Sequence, residues 1–305
     1  MYMDKSIAVI IPCYNEGSTI ERVVKQFSQI LPSATIYVFD NNSEDDSAIR
    51  AINAGALVYN EIQQGKGYVI RRAFADIEAD IYILVDGDGT YEAASAQQMT
   101  QVLIDHRLDM VVGARQSEAR EAFRRGHRIG NYLFNFVVAM LFGSCFNDML
   151  SGYRIFSRRF VKSFPALAVG FDIETEMTIH ALHLRLPVAE IKTPYHARPL
   201  GSESKLSTYC DGLKILWRIL ILMKETKPFH LFAILFAFSM MGALLLAIPI
   251  INTFIETGLI PRLSSAIIAV GLILIGLLSL FSGIILDSLS KARLEMKRLS
   301  YLTFK

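Results

Sequence analysis

The sequence is poor in several features that mark particular protein classes. Three cysteines among 305 residues, Cys13, Cys145 and Cys210, are too few and too scattered for a disulfide framework or a thiolate metal cluster. They fit a reducing compartment. Charge of one sign is not in excess, since 31 Lys and Arg face 29 Asp and Glu, and a net charge of +2 leaves no electrostatic footprint for nucleic acid. Charged residues make up 20% of the chain against 52% hydrophobic, which excludes a disordered polymer. No Gly-x-Gly-x-x-Gly follows the first apolar run, and no Gly-x4-Gly-Lys-Ser/Thr occurs, so dinucleotide-fold and P-loop sites are not indicated. Asp4 and Lys5 precede a short apolar run that stops at Pro12, which is not the form of a cleaved leader.

Long hydrophobic runs, by contrast, are present. Phe229 to Asn252 contains no Asp, Glu, Lys or Arg, with His230 its one titratable group, and Leu263 to Leu286 contains no charge at all. At about 1.5 Å per residue each can cross a hydrocarbon layer about 30 Å thick. The connection between them carries Glu256, Gly258, Pro261 and Arg262, as an exposed turn should. Lys224 and Lys227 precede the first run, and Lys291, Arg293, Lys297, Arg298 and Lys305 follow the second. This distribution predicts a multi-pass inner-membrane hairpin with both flanks, and the large N-terminal region, on the cytoplasmic side. Gly271, Gly276 and Gly283 in the second run could let copies of the chain pack closely as a homo-oligomer. The expected divisions are a catalytic region over 1–208, a juxtamembrane helix over 209–228, spans over 229–252 and 263–286 joined by a loop over 253–262, and a basic tail over 287–305. Two amphipathic segments, 118–142 and 208–227, mix basic and apolar residues as interfacial helices do.

The first 228 residues predict an α/β fold. Apolar strands are expected at Ile7–Ile11, Thr35–Phe39, Ala56–Tyr59, Ile81–Val85 and Asp109–Gly113. Between them, Ile20, Val23, Val24 and Phe27 recur at helical spacing behind a Ser18 or Thr19 cap, Ser43 to Ala54 reads as a second helix, and Gly65-Lys66-Gly67 opens a third. Alternation of this kind points to a parallel sheet, whose ligands lie at the carboxyl ends of the strands. Three such ends are polar: Tyr14-Asn15-Glu16, Asp40-Asn41-Asn42-Ser43, and Asp86-Gly87-Asp88-Gly89. Paired carboxylates on a glycine-loosened turn suit Mg²⁺ or Mn²⁺ bridged to phosphates.

In order along residues 6 to 210, Val9-Ile10-Ile11-Pro12-Cys13-Tyr14-Asn15-Glu16, the Asp40-to-Asp45 cluster, Gly65-Lys66-Gly67, Val85-to-Tyr91, Asp148-to-Arg154 and Gly201-to-Leu206 resemble a family 2 glycosyltransferase. The later motifs are similar to its polyprenyl-phosphate branch, the dolichyl-phosphate mannose synthases and bactoprenol glucosyltransferases. The resemblance implies a GT-A nucleotide-diphospho-sugar transferase fold with a C-terminal transmembrane hairpin. It implies an inverting, metal-dependent transfer of a hexose from a nucleotide sugar, UDP-linked by preference, onto a membrane polyprenyl phosphate. By the same resemblance Pro12, Tyr14, Asn15, Glu16, Asp40, Ser43, Lys66 and Arg115 would line the donor, and Asp86 and Asp88 would hold Mg²⁺ or Mn²⁺ on its diphosphate. Asp148, Arg154 and Lys205 would serve catalysis, and Arg154, Arg198 and Lys205 would grip the acceptor phosphate. Gly89 and Thr90 stand where the family often has Gln. Glu174 is expected to complement a helix dipole. Two other functions compete: a processive polysaccharide synthase, whose Gln-x-x-Arg-Trp is missing around Trp217, and a non-enzymatic membrane-anchored assembly protein.

Overall fold

The computed structural model describes residues 5–116, 146–170, 173–196, 221, 224–259 and 262–304. They divide into two compact units, 1–211 with 297–305, and 212–296. The segment 118–142 and nearly all of 208–227 lie outside the described residues.

The first unit is built on a seven-stranded sheet: β1 (Ile7–Cys13), β2 (Thr35–Asp40), β3 (Leu57–Asn60), β4 (Ile81–Leu84), β5 (Met110–Gln116), β6 (Arg154–Ser157) and β7 (Val188–Pro194). The spatial order is β3-β2-β1-β4-β6-β5-β7. β1 to β4 are mutually parallel, and β5 is parallel to β7. The sheet is nevertheless mixed, because β6 inserts antiparallel between β4 and β5. That corrects the expectation of a parallel sheet. The four-residue β6 is too short to announce itself by period, and its first residue is an arginine.

The helices are α1 (Ile20–Ile30), α2 (Ser47–Asn53), α3 (Lys66–Asp76), α4 (Ser95–Asp105), α5 (Arg158–Ser163) and α6 (Ile173–His183). α1 buries Ile20, Val23, Val24 and Phe27 as its spacing predicts. Thr19 stands at its N-cap but does not cap it. Its hydroxyl instead donates to the Glu16 carbonyl at 3.2 Å and the Gly87 carbonyl at 2.7 Å, tying the start of α1 to the turn after β4. α2 begins four residues later than expected because Ser43 to Asp46 form a loop whose donors and acceptors are spent on the strand ends, as described below. The core lies where α1 and α4 meet the sheet, on Val9, Ile11, Val24, Phe27, Ile83, Met99 and Val111.

The second unit contains α7 (Pro228–Thr257, 30 residues) and most of α8 (Leu263–Thr303, 41 residues). Both are long and apolar enough to cross a membrane, and they run past the expected span limits. α7 starts on Pro228, where a missing N–H costs nothing, and stops at Gly258, whose φ of 70° is left-handed. Within this unit a Cβ on Gly283 would stand 2.9 Å from the Phe232 Cβ, and one on Gly276 3.4 Å from Phe236 and Ser239. Gly276 and Gly283 therefore let α8 approach α7 closely within one chain.

Candidate active site

The carboxyl ends of β1, β2 and β4 are drawn together by their loops. After β1 the Asn15 backbone takes φ of 53°, a left-handed turn that Asn tolerates. Its N–H donates to Ser43 Oγ at 2.9 Å, and its side-chain oxygen accepts from the Glu44 N–H at 2.8 Å. Glu16 N–H donates to Ser47 Oγ at 2.8 Å, and Gly17 N–H to Asp45 at 3.0 Å. Asn41 bonds the carbonyls of Glu61 and Gln63 and accepts the Gly65 N–H, fastening the approach to α3. Asp40 is 7% exposed. Its Oδ2 accepts the Ser43 N–H at 3.2 Å, while its buried Oδ1 has no hydrogen-bond partner among the described residues. A buried acceptor left open costs about 1–3 kcal/mol and invites an N–H or O–H from a ligand. Pro12 and Tyr14 are partly buried beside it. The neighbouring Cys13 thiol is pushed up to about 12 by burial and is no nucleophile.

At the end of β4, Asp88 is buried, and its Oδ1 accepts the Thr90 N–H at 3.1 Å and the Thr90 hydroxyl at 2.6 Å. Thr90 thus orients the Asp88 carboxylate. Asp86 is partly exposed and pairs with the Lys66 ammonium. Gly152 backs it closely, since a Cβ there would lie 2.4 Å from Asp86 Oδ2. Lys66 is buried and also pairs with Glu174 at 2.6 Å. Burial alone would lower the proton affinity of Lys66, but Asp86 and Glu174 more than reverse this and keep it an ammonium. Glu174 is 3% exposed. It lies in the first turn of α6, where the dipole favours it, but its main partner is Lys66, 108 positions away in sequence, which the reading of the chain missed.

A second charged pair lies on β5. Arg115 forks onto Asp148, Nε to Oδ2 at 2.7 Å and a terminal nitrogen to Oδ1 at 2.8 Å, and its N–H also donates to Oδ2 at 3.1 Å. Burial would lower the guanidinium's proton affinity, and Asp148 more than offsets that. Arg115 also lies over the Tyr195 ring at 5.5 Å. Glu190 on β7 in turn accepts the N–H groups of Asn147 and Asp148 at 2.9 and 2.8 Å. The segment from Asp148 to Gly152 runs from this pair to the back of Asp86, with Ser151 Oγ donating to the Gly113 carbonyl at 2.6 Å.

Arg154 departs from expectation. It is fully buried, with Nε on the Ser151 carbonyl at 2.9 Å, one nitrogen on Thr178 Oγ1 at 2.8 Å and another on the Met149 carbonyl at 2.5 Å. Burial lowers it to about 10. A guanidinium committed to carbonyls in the interior fixes the 148–154 turn and offers nothing to an acceptor phosphate. Arg198 and Lys205 lie outside the described residues.

The residues at the β4 end fit a hard divalent cation. They offer carboxylate oxygens on one turn, and no group of three or more Asp, Glu, His or Cys gathers there among the described residues. Two protein carboxylates, with the remaining positions left to phosphate and water, is the usual Mg²⁺ arrangement.

Comparison with known proteins follows the same lines. The model of "Glycosyl transferase family 2" matches residues 8–164. Glycosyltransferase AglJ of Haloferax volcanii is 32% identical over 300 residues, covering 97% of this chain and 98% of that one. A dolichyl-phosphate hexose transferase of the same organism is 25% identical over 214 residues, covering 70% and 92%. Among solved structures, glucosyl-3-phosphoglycerate synthase from Mycobacterium tuberculosis, in complex with Mn²⁺, UDP-glucose and phosphoglyceric acid, superposes with a TM-score of 0.59 at 23% identity. It covers 72% of this chain and 80% of that one, a likeness of fold.

Proposed function

This chain belongs to glycosyl transferase family 2, with a GT-A-like fold, and on that premise we propose that it moves a hexose from a nucleotide sugar onto a membrane polyprenyl phosphate. The observation that carries the proposal is the convergence at one sheet edge of the Asp86/Asp88 carboxylates, the buried Lys66 ammonium and the open acceptor on Asp40. The acceptor class is supported by the similarity to a dolichyl-phosphate hexose transferase and by two helices long enough to span a bilayer. UDP is the preferred carrier and GDP the alternative.

Asp40, with Pro12, Tyr14, Asn15, Glu16 and Ser43 around it, receives the nucleoside. Lys66 faces the diphosphate, and Asp86 and Asp88 hold Mg²⁺ or Mn²⁺, which when bound acts as a Lewis acid on the departing nucleotide. The acceptor phosphate, with a second pKa of about 6, arrives already ionised. Its oxygen attacks the anomeric carbon in line, the bond from that carbon to the diphosphate oxygen breaks, and the nucleoside diphosphate leaves with the electron pair, so configuration inverts. No strong base is required, which accords with Asp148 being spent on Arg115. Asp148 holds the guanidinium where it can lower repulsion between two anions. Arg198 and Lys205 are assigned to the acceptor phosphate, and Arg154 is withdrawn from that role. The catalytic unit faces the cytoplasm, following the basic flanks of the spans.

The test is incubation of the purified full chain with labelled nucleotide sugars, Mn²⁺ and a short polyprenyl phosphate. A mild-acid-labile glycolipid that fails to form under chelation supports the proposal. A growing polymer would indicate a synthase instead, and no product from any donor would overturn both.

A further inference from the structure

Lys66 is one ammonium shared by two buried or partly buried carboxylates. On one side is Asp86, and on the other Glu174, at 2.6 Å and 3% exposed. The sharing is rigid. The backbone before α6 lies directly on the start of α3, with the Gly67 N–H donating to the Val169 carbonyl at 3.0 Å. A Cβ on Gly67 would stand 2.0 Å from the Ala168 carbonyl oxygen. Glu176, two positions along, accepts the N–H groups of Leu167 and Ala168 at 3.1 and 2.7 Å, clamping the same stretch. Glu174 is therefore delivered to Lys66 by backbone packing rather than by a loose side chain. Its second oxygen, Oε2, is buried with no hydrogen-bond partner among the described residues, so this carboxylate remains partly uncompensated. The buried Arg154 lies within electrostatic reach of Glu174, but its hydrogen bonds go to carbonyls, Thr178 and Met110.

Consider Lys66 with Asp86 as its sole counter-ion. In a poorly solvated site the pair would close tightly, and Asp86 would have little charge left for a divalent cation. A second carboxylate divides the ammonium. We propose that Glu174 is a positioning residue that competes with Asp86 for Lys66 and thereby keeps Asp86 able to ligate the donor's divalent cation. Asp86 and Glu174 paired to Lys66 leave one net negative charge, and the buried Asp88 carboxylate on the same turn as Asp86 adds a second, matching such a cation. This inference rests on the metal assignment to Asp86 and Asp88, and its test separates the two.

The probe is Mn²⁺ alone, with free ion counted by electron paramagnetic resonance during titration of the full chain in detergent. Glu174→Gln, which removes the competing charge at constant shape, is expected to weaken Mn²⁺ binding about tenfold. Glu174→Asp, which keeps the charge but draws it back by one methylene, is expected to fall between Gln and the wild type, and it serves if the Gln variant does not fold. The decisive arm is the Lys66→Met background, where Glu174→Gln should change Mn²⁺ affinity by less than about twofold, because the competition has no ammonium left to act through. An undiminished loss in that background, or wild-type affinity in the Glu174→Gln and Glu174→Asp single variants, would overturn the role of Glu174. Wild-type Mn²⁺ affinity in Asp86→Asn would instead overturn the metal assignment, whatever Glu174 does.

Discussion

Replacing Gly152 by alanine is the sharpest available separation of geometry from stability in this site. The new Cβ would lie 2.4 Å from Asp86 Oδ2, 3.0 Å from its Cγ and 3.1 Å from Oδ1. To regain ordinary van der Waals separation the carboxylate must retreat by about 1 Å. It can do so, because the clash is with the end of a partly exposed side chain and not with backbone. The folding cost should therefore stay near 1 kcal/mol, the low end for overpacking, and the melting temperature should fall by no more than about 4 °C in a unit of this size. Turnover is another matter. A displacement of about 1 Å at a group that positions the departing diphosphate costs on the order of 100-fold. Gly67→Ala provides the opposite case, since its Cβ would meet the Ala168 carbonyl oxygen at 2.0 Å, and backbone on backbone cannot yield cheaply. The assay pairs a thermal melt with labelled-sugar transfer to a short polyprenyl phosphate at saturating Mn²⁺. Gly152→Ala should melt close to wild type yet transfer about 100-fold more slowly, whereas Gly67→Ala should lose stability first. A Gly152→Ala enzyme that keeps wild-type turnover would refute the placement of Asp86 in the chemistry.

Further outcomes follow from buried groups elsewhere. His180, packed edge-on against the stacked Phe160 and Phe164 rings, is lowered to about 3, first by burial and then by Lys297, and His183 to about 4 for the same reasons. Both stay neutral in the fold while the unfolded chain protonates near 6.5, so stability is full above that pH and falls as the pH drops from 6.5 toward 3. At pH 5 His180 alone should contribute a loss of about 2 kcal/mol, and His180→Phe should flatten the pH dependence of the melt by that amount. Tyr301 donates to Asp109 Oδ2 at 2.8 Å, and Asp109 has no exposure, so Tyr301→Phe should lower stability by about 1–3 kcal/mol. Arg154→Met strands the carbonyls of Met149 and Ser151 and should cost about 3 kcal/mol or more in a denaturant titration, with expression falling before any specific change in acceptor KM.

Much of this architecture could be read from periodicity. β1 to β5 follow from short apolar runs, buried almost throughout in β1 and β4, the buried face of α1 follows from 3.6-residue spacing, and the polar strand ends are contiguous in sequence. What escaped depends on partners far apart in the chain. The Lys66–Glu174 pair joins positions separated by 108 residues, and nothing local to Glu174 distinguishes it from an ordinary acidic residue in a helix's first turn. Arg154 was misassigned because its type and motif suit phosphate, while its carbonyl partners at Met149 and Ser151 become visible only when the turn is folded. β6 and β7 were missed for related reasons. The former is four residues opened by an arginine, and the latter, Val188 to Pro194, is only partly buried and lacks a clean alternation. The late start of α2 reflects Ser43 and Asp45 bonding to Asn15 and Gly17, a cross-loop exchange that helix propensity does not anticipate.

The most direct test is a structure of the full chain with Mn²⁺ and UDP, with the metal located by its anomalous scattering. A peak within coordinating distance of Asp86 and Asp88, bridged to the diphosphate with Lys66 alongside, is the predicted result. A nucleotide bound with its diphosphate away from the end of β4, or an ion held elsewhere, would contradict the account.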